Sequence, residues 1–187
     1  MTPNLTSKGH ALLLRALEGE ALKFTRIQLG NGVAQNAKNA TALSNPLVAL
    51  PLTKAVTGSQ YIALTSTFSN SNITAGFRIT EVGIWAEDPD NAGSEILYAL
   101  GNEPEGTADY VPSKDSRILE LEYSIMIFVG EAQNVTAEIS ESLAYASAAE
   151  LKAHIENKQN PHGVTAEQVG LGSVPNVGTD DQTPNHT

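Results

Sequence analysis

The stretch RILELEYSIMIFVG, residues 117–130, constrains the fold more than any other part of the chain. Leu119, Leu121, Tyr123, Ile125, Ile127 and Val129 recur at every second position. That is the period of a strand, whose alternate side chains line one face. Glu120, Glu122 and Ser124 fall between them and are assigned to water, whereas Met126 and Phe128 make the far end apolar on both sides. Such a strand is predicted to pass from the rim of a sheet or sandwich into its centre. A chain that holds it must also supply neighbouring strands.

Those neighbours are legible. Residues 22–29 (LKFTRIQL) read as a strand ending in the turn Gly30-Asn31-Gly32, and further strands are predicted at residues 47–56, 61–69, 77–86 and 96–100. Residues 35–45, rich in Asn, Ala, Thr and Ser, read as a solvated loop. EVGIWAE and ILYALGN, separated by the turn-forming DPDNAG, read as a β-hairpin with Trp85 and Tyr98 as its large packing groups. Trp85 fits a core better than an interface anchor, because the chain has a single Trp. Ahead of the strands, Thr6 or Ser7 can cap a helix to about Leu17, with Ala11, Leu12, Leu14 and Leu17 mostly on one side and Gly19 as its stop. One leading helix and many short strands predict a mainly β fold with minor α (α+β), an antiparallel domain bounded near Ser140.

The pattern then changes. ESLAYASAAELKAHIENKQ is alanine-rich and free of Gly and Pro, so residues 141–158 are predicted to be helical. Leu143, Ala146 or Ser147, Glu150 or Leu151, and His154 or Ile155 follow an irregular spacing of three and four over about two and a half heptads. A helix folded back on the β domain and a helix packed against copies of itself both fit. NPHGVTAEQVGLGSVPNV follows. Pro161 breaks the helix, Thr165 and Gln168 form a capping-box pattern around a one-turn helix, and Gly170 and Gly172 end it. Val164, Val169, Leu171, Val174 and Val177 are too few to offset the roughly 1–2 kcal/mol per residue of backbone entropy that opposes ordering. Such specific turn and cap chemistry favours copies of the segment packed about a common axis over a disordered linker.

Composition limits the function classes. With 187 residues the chain suits one domain plus an appendage, or two small domains. Its net charge of −10, with Lys and Arg scattered, leaves no footprint for nucleic acid and disfavours anionic membranes. The absence of cysteine excludes disulfides and Cys-ligated zinc. MTPNLTSKGH has no secretory pattern, and the longest apolar run, Ile125 to Val129, is far below a membrane span, so a soluble chain outside the standard export route is expected.

No catalytic constellation stands out. Asp88, Asp90 and Asn91 lack the Gly and Glu positions of a calcium loop, and Glu120 and Glu122 alternate along one strand face as solvated acids do. The histidines are His10, His154, His162 and His186. His154 and His162 lie eight apart across a proline, not at the i, i+4 spacing that places two ligands on one helical face. A ring of one His per chain on a threefold axis is conceivable but shows no supporting ligands. His162 is read instead as a hydrogen-bonding group in the turn at residues 160–163. The expectation is of no enzyme, no cofactor and no metal.

With these segments read, a family resemblance emerges. EVGIWAEDPDNAGSEILYALGN, residues 81–102, resembles a hallmark segment of phage tail-collar fibre proteins, the N-terminal domain of tail fibres on contractile phage tails and tailocins. LTSKGHALLLRALEGEALKFTRIQLGNG, residues 5–32, resembles the start of the same family. HIENKQNPHGVTAEQVGLGSVPNVGTDDQTP, residues 154–184, is similar to a motif repeated along tail-fibre shafts. Only one shaft motif precedes Thr187, and no distal tip follows, which fits a fibre fragment or a short adaptor.

The resemblance implies a structural tail-fibre protein that anchors a fibre to the baseplate and projects a distal receptor-binding region toward the bacterial surface. It divides the chain into a baseplate-attachment domain (1–140), a helical stem (141–158) and the start of a shaft (159–187). The implied partners are two further copies of the chain, baseplate proteins and the distal fibre, without nucleic acid or membrane insertion. The implied location is the phage or tailocin particle, assembled in the bacterial cytoplasm and released outside. Leu143, Ala146, Leu151, Ile155, Val164, Val169 and Leu171 are the expected trimerisation residues. The alternative is a glycan-binding adhesin domain using Trp85, Tyr61 or Tyr110. A third reading, a small glycosidase using Glu120 and Glu122, has only those two acids to support it.

Overall fold

The computed structural model describes residues 1–140, 148–159 and 162–174. The chain divides into two compact units, Met1–Ala144 and Tyr145–Thr187.

In the first unit, β2 (Leu22–Gly30) lies inside a six-stranded sheet ordered β1 (Asn4–Leu5), β8 (Glu95–Asn102), β7 (Glu81–Glu87), β2, β11 (Val135–Ala137). β3 (Pro46–Pro51) shares the second edge of β2 with β11. The start of β2 pairs with β11 in parallel, Val135 opposite Leu22, and its end pairs with β3 in antiparallel, Leu50 opposite Ile27. A second, three-stranded sheet is ordered β10 (Glu120–Phe128), β5 (Tyr61–Ser69), β4 (Lys54–Thr57). A ribbon of β6 (Phe77–Arg78) and β9 (Tyr110–Val111) completes the strands of this unit.

One core joins the two larger sheets. Leu22, Phe24, Ile27 and Leu29 of β2 belong to the same buried cluster as Ile62, Leu64 and Phe68 of β5 and Ile125 and Ile127 of β10. Tyr98 links the layers. Its ring meets Phe24 edge-on at 5.0 Å, and its hydroxyl donates to the Phe128 carbonyl at 3.0 Å. That bond satisfies the polar tip of a large buried aromatic. Burial also pushes the Tyr98 hydroxyl well above the usual phenol range, so it remains a donor.

Helix α1 (Ser7–Leu17) closes over β8. Thr6 caps it, its hydroxyl accepting from the Gly9 N–H at 2.9 Å. The buried face is Gly9, Leu12, Leu13 and Ala16, whereas Leu14 and Leu17 are about half exposed. This differs from the face predicted through Leu14 and Leu17, and Gly9 is the reason. A Cβ there would sit 1.8 Å from the Tyr98 carbonyl oxygen, so the helix lies directly on the strand backbone at that point. The missing side chain sets which stripe faces inward.

Two further expectations change. Residues 47–56 form not one strand but two. The chain leaves the first sheet after Pro51 and joins the second at Lys54, with Leu52 fully buried between them. Within β10, Met126 and Phe128 are 70% and 45% exposed, not buried on a second face. β10 is an edge strand of a sheet covered on one side only, so strict alternation persists to its end.

The fold class is also corrected. Strands make up 39% of the structure against 12% for helices, and β11 makes the main sheet mixed, so the molecule is β rather than α+β. No long helical stem occurs among the described residues. Among the described residues of the second unit, α2 is Ala148–Glu156. Its end is closed by Asn157, whose N–H reaches the His154 carbonyl and whose side chain accepts from the Gln159 N–H at 2.8 Å. That local stop ends the helix at Glu156 rather than at residue 158. Leu143 and Ala146 of the expected stem lie outside the described residues.

Candidate interaction surfaces

Catalytic chemistry finds little support. Glu120 and Glu122 are exposed on β10, opposite Ser69 and Thr67 of β5, on an open strand face. Asp88 is spent on its own turn, accepting from the Asp90 N–H and the Asn91 side chain, while Asp90 pairs with Arg15 of α1 at 2.7 Å. Among the described residues no group of three or more His, Asp or Glu converges as a metal cage would.

A cleft of about 560 Å³ lies over β2 and includes Lys23, Thr25, Arg26, Glu87, Glu95 and Glu138 in its lining. Its charges are paired. Lys23 bridges Glu87 and Glu138 at 3.1 and 3.0 Å, and Arg26 meets Glu95 at 2.7 Å while lying 4.3 Å over the Trp85 ring. Burial pushes the Glu95 carboxyl up, but the hydrogen bonds from Arg26 and Thr25 outweigh it and hold the group below its ordinary range. Such pairs tie β2 to β7, to β8 and to Glu138 just beyond β11. Trp85 is 9% exposed beneath Arg26, so it offers no stacking platform to a sugar. Tyr61 and Tyr110, the other aromatics considered for that role, are 49% and 58% exposed.

The outer face of the second sheet is different. Phe128 pairs with Tyr61 in register, their rings edge-on at 5.6 Å, and Met126, Ala63 and Val56 form the adjacent row across β10, β5 and β4. Met126, Phe128, Tyr61 and Val56 are all exposed. Beyond this end the face turns polar, through Ser124 bonded to Thr65, then Glu122 and Glu120. An apolar cluster with a polar continuation is the usual composition of a contact surface. Sequence reasoning assigned Met126 and Phe128 to the interior and so missed it.

In the second unit the capping box forms. The Thr165 N–H donates to the Gln168 side chain at 2.8 Å, and the Gln168 N–H returns to the Thr165 hydroxyl at 3.3 Å. The closed segment is a turn rather than a helix, ending with Gly170 at φ 76°. Its apolar side chains remain outside. Ile155, Val164, Val169, Leu171 and Val174 are 46–64% exposed. Leu151 lies in the α2 segment. The same unit brings the His154 and His162 Nε2 atoms to 3.2 Å, with ring centroids 4.9 Å apart and ring planes at 80°.

No family model, curated protein or solved structure matches this chain. The tail-collar resemblance therefore rests on the sequence segments alone. Function has to be argued from the surfaces.

Proposed function

We propose that the chain is the baseplate-proximal part of a phage or tailocin tail fibre, a structural protein and not an enzyme. Residues 1–140 form the attachment domain, and the C-terminal part starts a stem completed by two further copies of the chain. The observation that carries this reading is the state of the segment around residues 164–174. It is held by a reciprocal cap and a left-handed glycine, yet its Val169, Leu171 and Val174 side chains are more than half exposed. Local hydrogen bonds fix a shape that buries almost nothing, and packing against identical segments supplies the missing apolar contact. The Tyr61–Phe128–Met126 patch gives the attachment domain an apolar face for a baseplate protein. Several copies on one stiff stem would raise the effective concentration of whatever receptor-binding region lies beyond.

The test uses tail particles from the encoding strain, produced with the fibre gene deleted. Purified chain is expected to co-sediment with these particles, and a Tyr61→Asp, Met126→Asp, Phe128→Asp variant to stay in the supernatant. Wild-type chain left in the supernatant would refute attachment. Variant chain that still co-sediments would remove the patch from the interface.

A further inference from the structure

We infer that His154 and His162 form a two-histidine chelate for a divalent transition metal, zinc above all. The site lies within one chain and does not depend on the fibre reading. His154 sits in the last turn of α2, and His162 begins the turn that leads into Gly163 at φ 61°. Although eight apart in sequence, the two residues place their Nε2 atoms 3.2 Å apart.

That separation has a specific meaning. Zinc binds imidazole nitrogen at about 2.0–2.1 Å, and tetrahedral ligation then puts two such nitrogens about 3.3 Å apart. Two neutral imidazoles at this distance share one proton between them or direct two lone pairs at one cation. The centroid separation of 4.9 Å with planes at 80° allows the second arrangement, because both rings reach a common point without stacking. Neutral imidazole is the most frequent protein ligand for zinc, and nitrogen donors select Zn²⁺, Ni²⁺ or Cu²⁺ over Mg²⁺ and Ca²⁺. Both histidines are exposed, so water can fill the remaining positions. A bound ion would pin the end of α2 to the turn that opens the capped segment.

The experiment is calorimetric titration of the full, tag-free chain with zinc chloride, beside magnesium chloride, His154→Ala, His162→Ala and the control His10→Ala. The expected result is zinc binding without magnesium binding. Either substitution in the pair should weaken zinc binding at least tenfold, and His10→Ala should leave it unchanged. In two-dimensional NMR of the imidazole nitrogens, both Nε2 signals should move together on adding zinc. No zinc binding up to millimolar concentration would overturn the assignment, as would retained affinity in either single variant. The pair would then be a hydrogen-bonded latch.

Discussion

Gly9 shows how much of the fold one residue can decide. Its missing Cβ lets α1 rest on the Tyr98 backbone, and the buried stripe Gly9, Leu12, Leu13, Ala16 follows from that contact. Gly9→Ala places a carbon 1.8 Å from a carbonyl oxygen and 2.6 Å from its carbon, neither of which can swing aside as a side chain would. Urea unfolding should show a loss of about 3 kcal/mol, at the upper end of overpacking effects and opposite in sign to the usual gain from Gly→Ala in a helix. An unchanged midpoint would mean that the helix does not sit on β8 as described. The same residue explains why the helix face was misread from sequence. An apolar-periodicity count treats glycine as a gap, whereas here it is the closest contact. Leu14 and Leu17 attracted the assignment because they are large, not because they are inside. Trp85 was read correctly as core, since a lone Trp on a hairpin has few other places to go. Its cover by Arg26 was not legible, because that pairing depends on a register shift in β2 between Phe24 and Arg26.

At the scale of elements, Glu81 governs the loop between β2 and β3. It is fully buried at the start of β7, and its carboxylate accepts from the Ser44 and Asn45 backbone N–H groups at 3.0 and 3.1 Å. Glu81→Gln keeps one acceptor and turns an amide NH₂ toward the other donor. Leaving a part-buried donor unpaired costs about 1 kcal/mol, the lower end of the range for buried donors. Amide exchange at Ser44 and Asn45 should accelerate by tenfold or more while the β2–β7 ladder keeps its protection. Equal exchange in both proteins would show that the loop is held by something else. Strand existence was largely legible, because alternation in residues 117–130 is a local signal. Strand membership was not. The apolar run at residues 47–56 reads as one strand, and only tertiary structure reveals that the chain changes sheets at Leu52. Met126 and Phe128 illustrate the same limit, since an apolar residue on the second face of a strand reads alike whether it meets another layer or a partner protein. The long stem was read from alanine content, a measure of propensity; among the described residues it is helical over Ala148–Glu156 alone.

At the scale of the whole molecule the chain falls into two units. The first is a β structure whose main core joins two sheets, with a smaller cluster around Trp85 and an apolar outer patch on β10, β5 and β4. The second is short, locally capped and exposed along its apolar residues. The trimer was argued from too few apolar residues for a core, and the fibre role from family-like segments. The most direct measurement is sedimentation equilibrium of the full chain across a wide concentration range, beside the variant Val169→Asp, Leu171→Asp. The account predicts three times the chain mass for the wild type and a single chain mass for the variant, with both showing the same β-rich circular dichroism. A wild-type monomer at every concentration would contradict it, and so would a trimer that survives both substitutions.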